Sequence, residues 1–290
     1  MAYRLTDLAM QALIQATQIR QIVRLGPTDP VNIYDLAKQR GVEVRFVDIP
    51  SLEGMYLKLN QRPEIFISTH RPAGRQASTC GHELGHHEFK HGTQIDEYLD
   101  GVGELERFDP QEFLVDCFSG FVLMPKSAVN YAFTIRGWKP QSCTPTQAYI
   151  IAGLFGVGYI TLLQHMSKTL KLIPQAQAQQ LKRTPPKQIR STLLGGVSSE
   201  QVTVVDLHWP NHTIDIQVGD LILAPPEVIC EGNYTEQVEQ SATRTIFRGS
   251  APGCARLVHP PTGWAAFTRV SRRDYVGRSI FRHLEEADDE

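Results

Sequence analysis

Cysteine is scarce in this sequence and scattered: five residues, Cys80, Cys117, Cys143, Cys230 and Cys254, with no C-x-x-C pair among them. An odd number at wide spacing argues against a disulfide framework and against a zinc site built from cysteines, and it suits a reducing compartment. An excess of one charge is lacking too. The 29 Lys and Arg against 31 Asp and Glu leave a formal net charge of -2, which gives no global attraction to nucleic acid or anionic membranes. No run approaches the roughly 20 apolar residues that a membrane-spanning helix needs, and Met1 to Asp7 lacks the continuous apolar core of a signal peptide. These absences predict a cytoplasmic protein with no membrane partner. The remaining composition, 41% hydrophobic and 21% charged over 290 residues, is that of an ordinary globular chain with room for two or three modest domains.

What is present is concentrated between Thr79 and His87, where His82-Glu83-Leu84-Gly85-His86 reads H-E-x-x-H. On an α-helix, residues four apart lie only about 40° apart around the axis and one turn along. His82 and His86 therefore project side by side, within reach of one metal ion. Glu83 falls about 100° away, beside the metal, where a carboxylate can take a proton from a water held there. The setting supports a helix. Ile65-Phe66-Ile67 reads as a strand, Ser68 to Gln76 as a loop, and Ser78 and Thr79 as N-cap residues.

A catalytic zinc takes three protein ligands and leaves one position open. The metzincin pattern would need histidine at position 92 and glycine at 89, but these are Gly92 and Phe89. His87 points away from His86, and His91 reads as a solvated residue at the helix end. A second helix supplies the better candidate. Glu112 and Asp116 are four apart on one face, with Phe113, Val115, Phe118, Phe121 and Val122 available to pack. Glu112 is expected on the metal. Asp116 is expected to accept a hydrogen bond from a ligand histidine, which fixes its tautomer.

The run Glu112 to Pro125, E-F-L-V-D-C-F-S-G-F-V-L-M-P, resembles the E-x-x-A-[ND]-x-F-A-x-x-L-L-M-P signature of the ImmA/IrrE metallopeptidase family, and His82 to His86 matches that family's H-E-L-G-H. Val115, Ser119 and Val122 depart from the pattern, and each is compatible with a packed helix. Carried over by position, the resemblance implies zinc held by His82, His86 and Glu112, with Glu83 as general base. It covers roughly residues 25 to 175. It implies a zincin-like core, a helix-turn-helix-like element after it, and a DNA-binding repressor as the protein substrate, cut to release stress-response or mobile-element genes.

Taken in order, the chain opens with a helical pattern from Leu5 to Leu25 (Leu8, Ala12, Leu13, Ala16, Ile19 and Ile22 or Val23). A helix from about Ile33 to Arg40 follows, then strands at Val42–Val47, Gly54–Leu59 and Glu64–Ser68, the last two joined around Asn60 to Pro63. Either of these last two strands could border the cleft and hold an extended substrate. Tyr56 is a candidate to steady a developing oxyanion, with core packing as the plainer reading. The acidic run from Gly92 to Asp109 reads as a solvated connector. A helix is expected from Ala128 to Ile135.

Thr144 to Leu172 predicts two helices about Gly156-Val157-Gly158, with only Gln164, His165 and Lys168 to offer DNA on the second. The basic, glutamine-rich and proline-containing run that follows reads as a linker, with nucleic-acid contact as the lesser alternative. Beyond Gly195, short strands separated by turns (among them Trp209-Pro210-Asn211) predict a mainly β domain, expected to sense a signal or dock the substrate. The acidic tail, Glu285 to Glu290, is expected to be disordered.

The expected architecture is α+β: a zincin-like metallopeptidase domain over 1–125, a helical helix-turn-helix-like segment over 126–175, a linker over 176–194 and a mainly β domain over 195–290. The expected function is zinc-dependent endopeptidase. The competing expectation is a regulator that keeps the zincin fold without proteolysis and binds DNA, or one half of a toxin–antitoxin pair.

Overall fold

The computed structural model describes residues 5–59, 62–97, 108–197, 199–210 and 212–284. Asn60 and Gln61 of the expected turn, residues 98–107 of the expected connector, Asn211 and the tail Glu285–Glu290 lie outside them. The chain divides into two compact units, Met1–Val129 with Val276–Ile280, and Asn130–Tyr275 with Phe281–Glu290. The first unit thus takes in a short piece from the far end of the expected β domain.

In the first unit, helix α1 (Leu5–Ile22) buries Leu8, Ala12, Ala16 and Ile19, as its spacing predicts, whereas Leu13 and Ile22 are exposed. Its buried Arg20 reaches the carbonyl oxygens of Val122 at 2.8 Å, Gly26 at 2.9 Å and Asp29 at 2.5 Å, and burial lowers its pKa to about 10. Asn32 caps helix α2 (Ile33–Gln39), accepting from the amides of Tyr34 and Asp35. The chain then passes through β1 (Glu43–Val47), β2 (Leu52–Leu59) and β3 (Arg62–Ser68) into helix α3 (Ala73–Glu88). That helix starts earlier than Ser78 and Thr79 suggested. Pro72 precedes its first turn, and the amide of Gln76 reaches the carbonyl of Pro72 at 3.0 Å. Ser78 and Thr79 thus sit inside the helix, where their hydroxyls donate to Gly74 O at 3.0 Å and to Glu53 at 3.2 Å.

The Gly92–Asp109 run also departs from expectation: its start forms β4 (Gln94–Glu97). Helix α4 (Pro110–Leu123) follows, capped by Asp109, which accepts from the amide of Gln111 at 2.7 Å. The sheet order in this unit is β13-β1-β3-β2-β4, where β13 is the returning segment Gly277–Arg278, paired antiparallel to β1. β2 and β3 are therefore interior strands. Among the described residues the edge strand on the β2 side is β4, so neither of the two strands expected to hold an extended substrate is an edge strand.

Two glycines on α3 set its approach to α4. A Cβ at Gly81 would lie 2.5 Å from Ser119 Oγ, and one at Gly85 would lie 2.9 Å from Val115 Cβ and 3.1 Å from Phe118. Ser119 also donates to the carbonyl of Ser78 at 2.9 Å. Facing α3 across the sheet, Gly54 of β2 leaves room for Thr79 and Glu83, since a Cβ there would come within 2.5 Å of Glu83 Oε1. Helix α3 is thus pressed from two sides at positions without side chains.

In the second unit, helix α5 (Lys126–Thr134) leads in from the first, and α6 (Pro145–Leu154) opens on a Thr144–Gln147 capping box. Helix α7 (Tyr159–Gln164) runs on through a π-helical turn over His165–Thr169. Helix α6 and the continuous run Tyr159–Thr169 are bent by 104° to one another, and among the described residues no single helix is long and apolar enough to cross a membrane. His165, one of the three side chains considered for DNA, is buried, and only Gln164 and Lys168 are exposed. The expected linker is helical: α8 (Gln175–Lys182) buries Ala178 and Leu181, and α9 (Pro186–Leu194) buries Ile189. Three apolar anchors outweigh the polar composition that suggested an extended chain.

Short strands follow as β5 (Val202–Val204), β6 (Ile214–Gln217), β7 (Leu221–Ala224), β8 (Ile229–Glu231), β9 (Thr235–Gln240), β10 (Thr245–Gly249), β11 (Gly253–His259) and β12 (Trp264–Ser271). They form two four-stranded sheets, β5-β7-β10-β9 and β6-β12-β11-β8. The sequence patterns missed β8 and β9, whose residues are mostly exposed and carry little apolar signal.

The Gly85 contact generates a prediction. Alanine is favoured over glycine inside a helix by about 1 kcal/mol, but crowding of a packed interior costs about 1–3 kcal/mol. Gly85→Ala should therefore lower unfolding free energy in a urea titration. A stabilised variant would mean that α3 and α4 are not in tight contact.

Candidate metal centre

Histidines 82 and 86 lie on consecutive turns of α3, and Glu112 lies in the first turn of α4. His82 Nε2 is 3.1 Å from His86 Nε2 and 3.0 Å from Glu112 Oε2, and His86 Nε2 is 3.6 Å from Glu112 Oε1. Among the described residues, His82, His86 and Glu112 form a group whose donor atoms all fall within 4.8 Å of one another. For zinc bonds of about 2.0–2.1 Å in tetrahedral array, neighbouring ligands should stand about 3.4 Å apart. The three observed separations bracket that value. Two imidazoles and a carboxylate are also a donor set suited to zinc. The residues fit a metal ion.

The site is closed at one end and open at the other. His86 is 0% exposed, His82 has 14% of its side chain exposed and Glu112 has 39%. His82 Nδ1 stands 2.9 Å from Asp116 Oδ1, the contact expected of a carboxylate that holds a ligand imidazole with its other nitrogen bare. Asp116 itself is largely exposed, with 73% of its side chain in solvent. Glu83 is fully buried, its carboxylate against β2 at Gly54.

Tyr56 is brought to another partner. Its hydroxyl lies 2.9 Å from His87 Nδ1, and the residue is buried under α3, which is the packing reading and not a place among the ligand atoms. Burial lowers the pKa of His87, against the opposing pull of Glu88. Glu88 in turn is bound by Arg40 at 2.7 Å and fixes the end of α3 to the residue that closes α2.

One neighbour of the site escaped the sequence reading. His91 does not lie free beyond the helix: its Nδ1 is 3.0 Å from His86 Nδ1. The chain turns back because Lys90 adopts a left-handed conformation (φ 59°) and the His91 amide donates to the carbonyl of His86 at 2.9 Å. Burial pushes the His91 imidazole below its ordinary pKa, while Glu112 and Asp109 pull it upward. A third histidine five residues past His86 was the available signal, but helical phase alone placed it on the wrong side.

Alanine at His82, His86 or Glu112 should reduce zinc content from about one ion per chain to background by mass spectrometry. Asp116→Asn should weaken affinity by about 10–100-fold without abolishing binding. Full zinc occupancy in the Glu112 variant would remove that residue from the site.

None of the curated proteins matches this chain. Residues 37–167 match the sequence profile of the Peptidase_M78 family, described as the IrrE N-terminal-like domain. The match spans β1 to β4, α3, α4 and the bent α6–α7 pair. With the α+β fold and the histidine–carboxylate cluster in place, this segment is a zincin-like domain of the Peptidase_M78 metallopeptidase family, the group that contains ImmA and IrrE.

Proposed function

We propose that the protein is a zinc-dependent endopeptidase in which His82, His86 and Glu112 hold the metal and Glu83 is the general base. The observation that carries this reading is the convergence of His82, His86 and Glu112 within 4.8 Å. Glu83, which a purely binding site would not require, stands on the same helix. Bound zinc would polarise the scissile carbonyl and make water a competent nucleophile near neutral pH. Glu83 would take the proton of that water and return it to the leaving amine. Gly54 leaves space between β2 and α3 in which the carboxylate of Glu83 stays buried. An extended substrate would add to β4, the edge strand among the described residues, with main-chain hydrogen bonds supplying affinity.

For the substrate we propose a DNA-binding transcriptional repressor, whose cleavage switches on stress-response or mobile-element genes. Support for this lies in the family resemblance of the two metal helices. The exposed face of α7 offers DNA little, with Gln164 and Lys168 as its exposed polar side chains, and this favours proteolysis over direct DNA binding.

Glu83→Gln separates the two. The variant should keep its zinc and lose about 10²–10⁴-fold in peptide-bond cleavage, read by mass spectrometry of a candidate repressor. Salt-sensitive DNA binding that persists in Glu83→Gln, with no cleavage by wild type, would overturn the peptidase reading.

A further inference from the structure

We propose that His91 is a positioning residue for the metal centre: its Nδ1 accepts the Nδ1 proton of His86 and so fixes His86 with a bare Nε2 toward His82 and Glu112. The inference rests on the reading of these three residues as a zinc site. His86 Nε2 already faces the two other donors, at 3.1 Å and 3.6 Å. To bind a metal it must be unprotonated there, which leaves the proton on Nδ1 and requires an acceptor on the buried side. The atom found opposite Nδ1 is His91 Nδ1, at 3.0 Å.

The placement of His91 is built into the backbone. The left-handed Lys90 and the bond from the His91 amide to the His86 carbonyl turn the chain so that the two rings meet, with centroids 5.2 Å apart. The ring of Phe89 stacks on His91 at 6.0 Å and 26° and restricts its rotation. The two ligand histidines thus receive different partners. His82, near solvent, has the exposed carboxylate of Asp116. His86, fully buried, has an imidazole. A neutral acceptor serves the same orienting purpose without adding a third negative charge near Glu83 and Glu112, where an anion would be costly to bury.

The test compares wild type, His91→Ala and His91→Asn as full-length proteins. Asparagine is informative because its Oδ1 occupies nearly the position of histidine Nδ1 and accepts the same proton. Zinc affinity is measured by competition with a chromogenic chelator, and the thermal midpoint of each metal-free protein is recorded alongside. The expected result is about a 10–100-fold loss of affinity in His91→Ala, substantial recovery in His91→Asn, and metal-free midpoints equal to wild type. Wild-type affinity in His91→Ala would overturn the proposal. So would equal loss in both variants with a lowered metal-free midpoint, which would make His91 a packing residue. If wild type itself binds no zinc, the metal-centre reading fails and this inference fails with it.

Discussion

The close crossing of α3 and α4 is the contact on which the rest of the site depends. The donor atoms come from two helices, so their separation is governed by how near the helix backbones can approach. Gly81 and Gly85, four apart, present no side chain to Val115 and Ser119, also four apart, and the fit leaves no room for a methyl group. Ordinary helix pairs pack at about 8–10 Å depending on the residues in contact, and glycine places a pair at the near end of that range. A small outward shift would take Glu112 away from the two imidazoles, because a carboxylate on a short side chain cannot make up lost distance. Ser119 donating to the carbonyl of Ser78 and Arg20 donating to the Val122 carbonyl both hold the C-terminal part of α4.

The same argument explains why H-E-x-x-H is written here with glycine in the fourth place. His82 and His86 turn their Nε2 atoms toward Glu112, Gly81 and Gly85 face α4 side chains, and Glu83 faces the sheet, where Gly54 makes way for it. The histidines, the glycine and the acid of the motif thus make three different sets of contacts from one helix. The contacts continue outward: Asp116 Oδ1 meets His82 Nδ1 at 2.9 Å, and Arg40 through Glu88 anchors the helix end.

Much of this was legible in the sequence because it follows helical phase. His82 with His86 on α3, and Glu112 with Asp116 on α4, are four-residue relations within one helix each, and the structure brings the two pairs together. The features that were missed depend on contacts between distant segments or on unusual backbone. β4 was hidden in an acidic run because its pairing with β2 supplies what its composition does not. β13 returns from residues 277–278 to the edge of β1, a pairing that no local pattern announces. His91 reached His86 only through a lysine at positive φ, a conformation that glycine would have signalled and lysine does not. α8 and α9 were read as linker because polar and proline-rich composition outweighed three buried residues, which only the packed structure reveals.

The central claim is that one zinc ion is held jointly by α3 and α4. Its most direct test is a crystal structure of the zinc-loaded protein with anomalous data collected at the zinc edge. The account predicts a single strong peak about 2.0–2.2 Å from Nε2 of His82, Nε2 of His86 and a carboxylate oxygen of Glu112, with His91 on the far side of His86. A peak that lacks Glu112, or one bonded to His91 in its place, would contradict it.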